Sequence, residues 1–262
     1  MDSGLRRITN TTLLDPDGLI KKGNFLINKE GEYSISNGDE DVIETIDGSN
    51  RLITRSLQNW HTHMAMILNR SMGEGLPLEE WLQKSIWPVE KKLTREFVEI
   101  GTKAAAAELI STGTTFACDM YFHPDVVGKV ISDTGLRAII CGPITDFPFT
   151  SEEQDSGNAL RQVKSLISQG SSVPERVEYG IGNHSVYACS EETLCTSSEI
   201  SKQTGCKLSI HTSETRQEVA DCHAATGMYP IEYLDSIDYF TEGTICAHCG
   251  WVTKKEMRIL AE

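Results

Sequence analysis

The sequence has little positive charge and no long hydrophobic run. Its 262 residues include 24 Lys and Arg against 38 Asp and Glu, a formal net charge of −14 at pH 7. A nucleic-acid groove and an anionic membrane surface both favour an excess of cations, so we expect neither as a partner. No stretch of about 18 apolar residues could span a membrane, and residues 1–10 lack the apolar segment of a signal peptide. We therefore expect a cytoplasmic protein.

Disulfide bonds are not expected either, although the sequence contains eight cysteines. Cys118, Cys141 and Cys206 lie in apolar, strand-like segments, where a thiol packs as a small hydrophobic group. Cys246 and Cys249 form a C-x-x-C pair, but no second pair is present to complete a structural zinc site. A redox role for this pair remains an alternative to reduced, structural thiols.

Residues 1–53 differ in pattern from the remainder of the chain. Short strand candidates alternate with turn signals such as Asn37-Gly38 and Asp47-Gly48. The candidates are Thr11–Leu14, Asn24–Ile27, Tyr33–Ile35 and Val42–Ile46. The pattern predicts a small antiparallel β unit, the N-terminal part of a small β-sandwich domain that needs further strands to be stable.

Residues 54–262 alternate between predicted strands and helices. Helices are expected to begin at residues such as Thr94 and to end at Gly113, Gly135 and Gly170. The strand candidates are Leu52–Trp60, Thr114–Met120, Leu136–Cys141, Arg176–Ile181, Lys207–His211 and Thr244–His248. A succession of β–α units predicts an α/β fold with a parallel sheet, either a doubly wound layer or a barrel.

Most of the seven histidines follow predicted strands. His61 and His63 follow the first strand, His123 the second, His184 the fourth, His211 the fifth and His248 the sixth. In a (β/α)8 barrel the active site lies at the C-terminal ends of the strands, so such side chains converge. A single strand-end histidine is more often a hydrogen-bonded loop residue, but that explanation is poor for six histidines at equivalent positions.

Two short motifs indicate metal chemistry. His61 and His63 are two residues apart on a strand, so their imidazoles point the same way and both can reach one metal ion. Glu214 lies three residues after His211, just beyond a strand. That offset allows the histidine to bind the metal while the carboxylate carries a proton for an activated water.

Several longer motifs occur in an order that resembles one known family. They are Asn59-Trp60-His61-Thr62-His63, Gly75-Leu76-Pro77-Leu78-Glu79-Glu80-Trp81-Leu82, Ile86-Trp87-Pro88-Val89-Glu90, Gly113-Thr114-Thr115, Asp119-Met120-Tyr121-Phe122, His184-Ser185-Val186-Tyr187, His211-Thr212-Ser213-Glu214-Thr215 and Ala247-His248-Cys249. The chain resembles the amidohydrolase superfamily, in its branch of adenosine-type deaminases and related chlorohydrolases. The branch includes S-adenosylhomocysteine, methylthioadenosine and 5′-deoxyadenosine deaminases. The resemblance implies a (β/α)8 TIM-type barrel.

The resemblance also implies the metal centre. It makes His61, His63 and His211 the ligands of one divalent metal ion, with zinc favoured and iron as the alternative. The fourth strand candidate, Arg176–Ile181, contains no lysine. Amidohydrolases with two metals usually bridge them with a modified lysine on that strand, so a site with one metal is expected.

Four further residues receive roles from the resemblance. Glu214 is expected to protonate a purine ring nitrogen, and His248 to orient and deprotonate the water that the metal activates. His184 is expected to orient the substrate by donating a hydrogen bond. Glu90 is expected to accept hydrogen bonds from ribose hydroxyls, because a carboxylate offers two acceptor oxygens. The alternative for Glu90 is a surface charge at a helix end.

The sequence also departs from the family pattern. The family continues for well over a hundred residues beyond the position of Glu262, with a seventh strand and an eighth that carries a metal-binding aspartate. We therefore expect a barrel that lacks its last two β–α units, and a homo-oligomer or a complementing C-terminal chain. An arginine that relatives use to bind a homocysteine carboxylate is replaced by Gly142, which favours smaller 5′ substituents.

The sequence thus favours an enzyme that deaminates an adenine nucleoside by hydrolysis. The small-molecule substrate is expected to be adenosine, 5′-deoxyadenosine, methylthioadenosine or S-adenosylhomocysteine. One alternative is another amidohydrolase, of the guanine deaminase or chlorohydrolase type, whose substrate has no ribose for Glu90 to bind. The other alternative is a catalytically inactive fragment, or one half of a two-chain enzyme.

Overall fold

The structure is a computed structural model that describes residues 4–146, 156–169 and 175–262. The chain divides into two compact units, Met1–Leu57 and Gln58–Glu262. Within the described ranges, no helix has both the length and the apolar character needed to cross a lipid bilayer.

The first unit is a five-stranded mixed sheet. Its strands are β1 (Arg6–Leu14), β2 (Ile20–Ile27), β3 (Tyr33–Ile35), β4 (Glu44–Asp47) and β5 (Leu52–Ile53). β2 runs antiparallel to both β1 and β3, but β4 and β5 run parallel to β1.

The prediction of a purely antiparallel unit is therefore wrong for β4 and β5. The segment between β3 and β4 carries the chain to the other side of β1, so β4 enters the sheet in the same direction as β1. The Arg7 side chain holds this crossover, because it donates hydrogen bonds to the backbone carbonyl of Glu40 (2.8 Å) and to its carboxylate (3.0 Å).

The second unit is built on a six-stranded sheet that is nearly closed into a barrel. The strands are β6 (Leu57–Thr62), β7 (Thr114–Asp119), β8 (Arg137–Ile144), β9 (Val177–Asn183), β10 (Leu208–Thr212) and β11 (Thr244–His248). Their order in the sheet follows the chain, and all neighbouring pairs from β7 to β11 are parallel. The prediction of an α/β fold with a parallel barrel sheet is confirmed.

Helices link the strands of this sheet. They are α1 (Leu78–Trp81), α2 (Trp87–Glu90), α3 (Arg95–Ser111), α4 (Pro124–Thr134), α5 (Ser156–Ser168), α6 (Glu191–Thr204), α7 (Arg216–Thr226), α8 (Pro230–Ser236) and α9 (Lys254–Ile259). Thr94 caps α3 as predicted, since its hydroxyl accepts a hydrogen bond from the Phe97 N–H. Gly135 ends α4 with a left-handed φ of 80°. The predicted end at Gly170 lies outside the described residues.

The apolar core packs the helices against the strands, which fixes the strand ends that carry the site. β10 is buried along its whole length, as expected for a parallel strand covered on both faces. Its Leu208 and Ile210 pack in one cluster with Ile181 of β9 and Leu194 of α6. Each such side chain stabilises the fold by roughly 1.5–3 kcal/mol through burial of apolar surface.

Candidate metal and substrate site

Three histidines converge at one end of the barrel sheet. His61 lies in β6, His63 directly follows that strand, and His211 lies in β10. One ring nitrogen from each lies within 4.8 Å of the others. β6 and β10 are not neighbours, because β7, β8 and β9 separate them in the sheet. The histidines can therefore meet only because the sheet curls round on itself.

The hydrogen bonds of two of these rings orient their free nitrogens towards each other. The Nδ1 of His63 donates to the backbone carbonyl of Met120 (2.5 Å), and the Nδ1 of His211 to that of His184 (2.6 Å). Their Nε2 atoms then carry lone pairs, and these atoms are only 3.3 Å apart. Two lone pairs repel at that distance unless a cation or a proton lies between them.

A single divalent metal ion fits this donor set. Two nitrogens that bind one tetrahedral zinc at about 2.0–2.1 Å are roughly 3.3–3.4 Å apart, which matches the Nε2 separation of His63 and His211. Nδ1 of His61 is buried and has no hydrogen-bond partner among the described residues. The two Nδ1–H···O=C bonds are the kind of support that orients metal-binding histidines.

Burial keeps these imidazoles neutral at physiological pH. Burial, together with smaller effects of the neighbouring His63 and His248, lowers the pKa of His61 to about 3. Burial likewise lowers the pKa values of His63 and His211. A neutral imidazole is the form that binds a metal, so these histidines need not lose a proton to do so.

Glu214 and His248 lie beside the three histidines. The distance from Oε2 of Glu214 to Nε2 of His248 is 3.6 Å, and the His248 ring centroid is 4.9 Å from that of His61. Burial raises the pKa of the Glu214 carboxyl, while His248 lowers it by a smaller amount. A carboxyl with a raised pKa next to an imidazole is a chemically suitable pair for proton transfer.

His184 and Glu90 complete the residues predicted for the site. The His184 ring lies 4.9 Å from that of His211, and burial lowers the pKa of His184 to about 4. Glu90, at the end of α2, is only 6 % exposed, and burial raises its pKa to about 7. Glu90 is therefore not a surface charge at a helix end.

All seven predicted residues line one cavity of about 310 Å³. Apolar side chains form much of its remaining wall: Met66, Leu78, Trp81, Leu82, Ile86, Trp87 and Phe122. The cavity thus combines a polar end, where the histidines meet, with a largely apolar wall. Such a mixture is typical of sites for small organic ligands.

Two histidines lie elsewhere. His123 follows β7 as predicted, but it precedes α4 on the outside of the cavity, where its Nδ1 lies 3.5 Å from the Arg95 guanidinium. His223 lies in α7 beside Tyr229, with ring centroids 4.9 Å apart. A position directly after a strand thus does not by itself bring a histidine into the site. The direction of the loop that follows the strand also decides where the side chain points.

Sequence reasoning missed two acidic residues that hold the site loops. Asp119 is fully buried, and its carboxylate accepts a hydrogen bond from the Met64 N–H (2.6 Å), next to His63. Glu218 accepts hydrogen bonds from the N–H groups of Ser213 (3.0 Å) and Glu214 (2.7 Å). The sequence contained a signal for Glu218, because Thr215-x-x-Glu218 has the spacing of a helix capping box.

Comparison with known proteins agrees with this geometry. Residues 52–262 match the sequence model described as the amidohydrolase family. The chain is 38 % identical to the 5′-deoxyadenosine deaminase of Methanosphaera stadtmanae over 97 % of this chain and 60 % of that protein. It is 34 % identical to the enzyme of the same name from Methanothermobacter thermautotrophicus over 100 % of this chain and 61 % of that protein.

A solved structure gives the same relationship in three dimensions. The crystal structure of an adenosine deaminase from Xanthomonas campestris with bound zinc superposes with a TM-score of 0.90 at 27 % identity. The alignment covers 98 % of this chain and 60 % of that one, so the chain spans about three-fifths of the length of these relatives. The extent of the sequence match and the shared fold show that the chain belongs to the amidohydrolase family.

Proposed function

We propose that this protein is a metal-dependent deaminase that hydrolyses the exocyclic C6–N bond of an adenine nucleoside. The observation that carries the proposal is the convergence of three neutral histidines, Glu214 and the buried Glu90 in one cavity. The names of the most similar relatives support a substrate of the 5′-deoxyadenosine class. We propose zinc as the metal, with iron as the alternative.

His61, His63 and His211 would hold the ion. A divalent ion there would supply Lewis-acid activation of the attacking water. The apolar wall that includes Trp81, Trp87 and Ile86 would enclose the nucleoside and exclude other water molecules. The protein residues then control where the protons move.

Glu214 and His248 would transfer the protons. His248 accepts a proton as the water oxygen attacks C6, and Glu214 donates one to a purine ring nitrogen. His248 would then donate its proton to the amino group, and the C6 hydroxyl would return a proton to Glu214. The C6–N bond breaks, the amino group leaves as ammonia, and the base becomes a hypoxanthine. Burial raises the pKa of Glu214, which favours the protonated form that a general acid requires.

His184 and Glu90 would orient the substrate. His184, on the loop after β9, would donate a hydrogen bond to the purine. Glu90, deep in the apolar wall, would accept hydrogen bonds from the ribose hydroxyls, which repay the cost of burying a carboxylate. A free base or a chlorotriazine offers no such hydroxyls, so Glu90 favours a nucleoside over the alternative substrates.

The release of ammonia, or of chloride from a chlorotriazine, tests the proposal directly. Protein expressed from its complete coding sequence and loaded with zinc or iron is incubated with adenosine, 5′-deoxyadenosine, methylthioadenosine, guanine and a chlorotriazine. We expect turnover of the nucleosides and little of the others, and one metal ion per chain by elemental analysis. Turnover of guanine or the triazine without the nucleosides, or no turnover of any compound, would contradict the proposal.

The remaining assignments are proposals of the same kind. We propose that residues 1–53 form part of a small β-sandwich domain and residues 54–262 the catalytic barrel. Cytoplasmic localisation, and assembly as a homo-oligomer or with a complementing chain, stay predictions. Size-exclusion chromatography with light scattering measures the assembly.

A further inference from the structure

A polar network lies next to the site, inside an otherwise apolar layer. Asn183, the last residue of β9, is fully buried, and so are Ser197 of α6 and Tyr239, which lies in the segment before β11. The apolar cluster around them includes Ile181 and Leu194. Polar side chains in such surroundings need partners within the protein, so each of the three depends on the others for its position.

The Asn183 amide forms hydrogen bonds on both of its sides. Its Oδ1 accepts from the Tyr239 hydroxyl (2.9 Å), and its Nδ2 donates to Oγ of Ser197 (3.1 Å). Nδ2 also lies 3.9 Å from Sγ of Cys189, whose thiol donates to the Ile144 carbonyl at the end of β8 (3.1 Å). The amide is therefore held by a helix, a loop and the segment that leads into β11.

The partners of Asn183 are also held by bonds that do not involve it. The Tyr239 N–H donates to the Leu234 carbonyl at the end of α8 (3.0 Å). The hydroxyl of Ser198, next to Ser197 in α6, donates to the Asp238 carbonyl (3.0 Å). Helix α6 and the segment before β11 are thus joined independently of Asn183, and together they form a frame to which its amide is bound.

The residue that follows Asn183 belongs to the site. The His184 N–H donates to the Ile144 carbonyl (3.0 Å). The His184 carbonyl accepts from two groups of His211, its N–H (3.2 Å) and its ring Nδ1 (2.6 Å). The His184 ring lines the cavity. The orientation of the backbone at residues 183 and 184 therefore affects both the direction of the His211 ring and the placement of the His184 ring.

We propose that Asn183 is a positioning residue for His211 and His184, held in place by Tyr239 and Ser197. Stability alone does not require an amide here, because replacing buried hydrogen-bonding partners by apolar groups of similar shape can be nearly neutral. Directional hydrogen bonds, in contrast, select one orientation of the side chain and of the backbone that carries it. This inference rests on the proposed function, which assigns His211 to the metal and His184 to the substrate.

Tyr239→Phe tests the inference, because it removes the donor to Asn183 and keeps the ring that packs in the core. Competition with a chromophoric chelator measures zinc affinity in protein expressed from its complete coding sequence. We expect the Kd to rise about 5-fold, less than the 10- to 100-fold typical for losing a direct partner of a metal ligand. Asn183→Leu should raise the Kd by about 10-fold, at the lower end of that range.

Tyr179→Phe is the matched control for the loss of a buried phenol. Tyr179 also lies in β9, but it packs in a different apolar cluster from Asn183 and Tyr239. Its variant should therefore keep the zinc Kd of the wild type. If Tyr179→Phe raised the Kd as much as Tyr239→Phe does, any buried phenol on this layer would affect the metal, and the network would have no special role.

The kinetics of the same variants give a second readout. At saturating zinc, Tyr239→Phe and Asn183→Leu should raise KM for adenosine about 3- to 5-fold, the effect of weakening one hydrogen bond. We expect kcat to be nearly unchanged, because His184 orients the substrate and the proton transfers belong to Glu214 and His248. A loss confined to kcat would contradict a role exerted through His184.

Leu194→Ala separates positioning from a purely structural role. It leaves a cavity in the apolar cluster that surrounds Asn183, so it should lower the Tm at least as much as Asn183→Leu, with the zinc Kd and KM unchanged. If Asn183→Leu and Tyr239→Phe lower the Tm but leave both quantities unchanged, the network only stabilises the fold and the inference is overturned. If Asn183→Leu does not fold, the comparison of Tyr239→Phe with Tyr179→Phe decides. If the wild type neither binds zinc nor deaminates adenosine, the proposed function fails, and this inference fails with it.

Discussion

Glu214 combines the features that a general acid needs. Its side chain is about a quarter exposed, its Oε2 lies 3.6 Å from Nε2 of His248, and burial raises its pKa. The Glu218 carboxylate accepts a hydrogen bond from the Glu214 N–H and so holds the loop in place. In the proposed reaction, proton transfer by Glu214 would therefore depend on the loop that Glu218 holds in place.

Glu214→Gln is expected to lower kcat by roughly a hundredfold or more, within the range of general acid–base catalysis. The amide keeps the shape of the side chain and a hydrogen-bond donor, but it cannot release and recover a proton. Steady-state kinetics with adenosine measure kcat, and elemental analysis checks that the metal content is unchanged. A kcat close to that of the wild type would require another residue to be the acid.

Glu90 gives a prediction for the pH dependence of stability. Burial raises the pKa of its carboxyl from the usual 4.5 to about 7, so the native state binds more protons than the unfolded state between these pH values. Stability therefore falls as pH rises through this window. The loss for this group is at most about 3 kcal/mol, at 1.36 kcal/mol per pKa unit.

Glu90→Gln should remove that loss in the metal-free protein. Relative to the wild type, the variant is expected to gain stability between about pH 4 and pH 8, by an amount up to this limit. Urea unfolding at several pH values measures the difference. Parallel pH profiles for the two proteins would show that Glu90 is ionised normally in the native state.

At the scale of elements, the end of β7 supports His63, the proposed metal ligand that directly follows β6. The Asp119 carboxylate accepts from the Met64 N–H (2.6 Å), and the Met120 carbonyl accepts from Nδ1 of His63 (2.5 Å). These bonds join the loop after β6 to the end of its neighbouring strand. The orientation of His63 is thus determined by β7 as well as by its own strand.

Asp119→Ala is expected to weaken metal binding by about 10- to 100-fold, the usual effect of losing such a supporting bond. Asp119→Asn should recover part of the affinity, because its amide oxygen can still accept from Met64. Competition with a chromophoric chelator measures the affinity of both variants. If Asp119→Ala binds the metal as tightly as the wild type, the carboxylate does not position His63.

At the scale of the whole molecule, the proposed metal site brings together residues from distant strands of the sheet. His63 follows β6 and His211 lies on β10, with their Nε2 atoms 3.3 Å apart. An ion shared by these residues would link strands that have no hydrogen bonds with each other. Ligand binding to the native state alone stabilises that state by mass action.

Removal of the metal by a chelator should therefore lower the Tm. At a free metal concentration of 100 times Kd the stabilisation is about 2.7 kcal/mol, which corresponds to roughly 5–10 °C for a domain of about 200 residues. Differential scanning calorimetry measures the shift. His223→Ala, outside the cavity, should show the same shift, whereas His211→Ala should show little or none. An equal shift in His211→Ala would contradict the assigned site.

Much of the fold and site could be predicted because its signals are local in the sequence. Caps such as Thr94 and terminating glycines such as Gly135 act within one or two helical turns. The His61-x-His63 spacing acts within a single strand. Contiguous residues therefore indicated several helix ends and which side chains stand near strand ends. The predicted first barrel strand, Leu52–Trp60, is wrong in its bounds, because Leu52–Ile53 pairs with β1 and the barrel strand is Leu57–Thr62.

Other features were decided only by the tertiary structure, because they depend on contacts between distant segments. The parallel course of β4, the position of His123 outside the cavity, and the burial of Glu90 and Tyr121 follow from how loops cross and helices pack. Residues 63 and 211 meet only when the sheet curls. Sequence periodicity determines which face of an element is apolar, but burial and proximity are set by packing across the molecule.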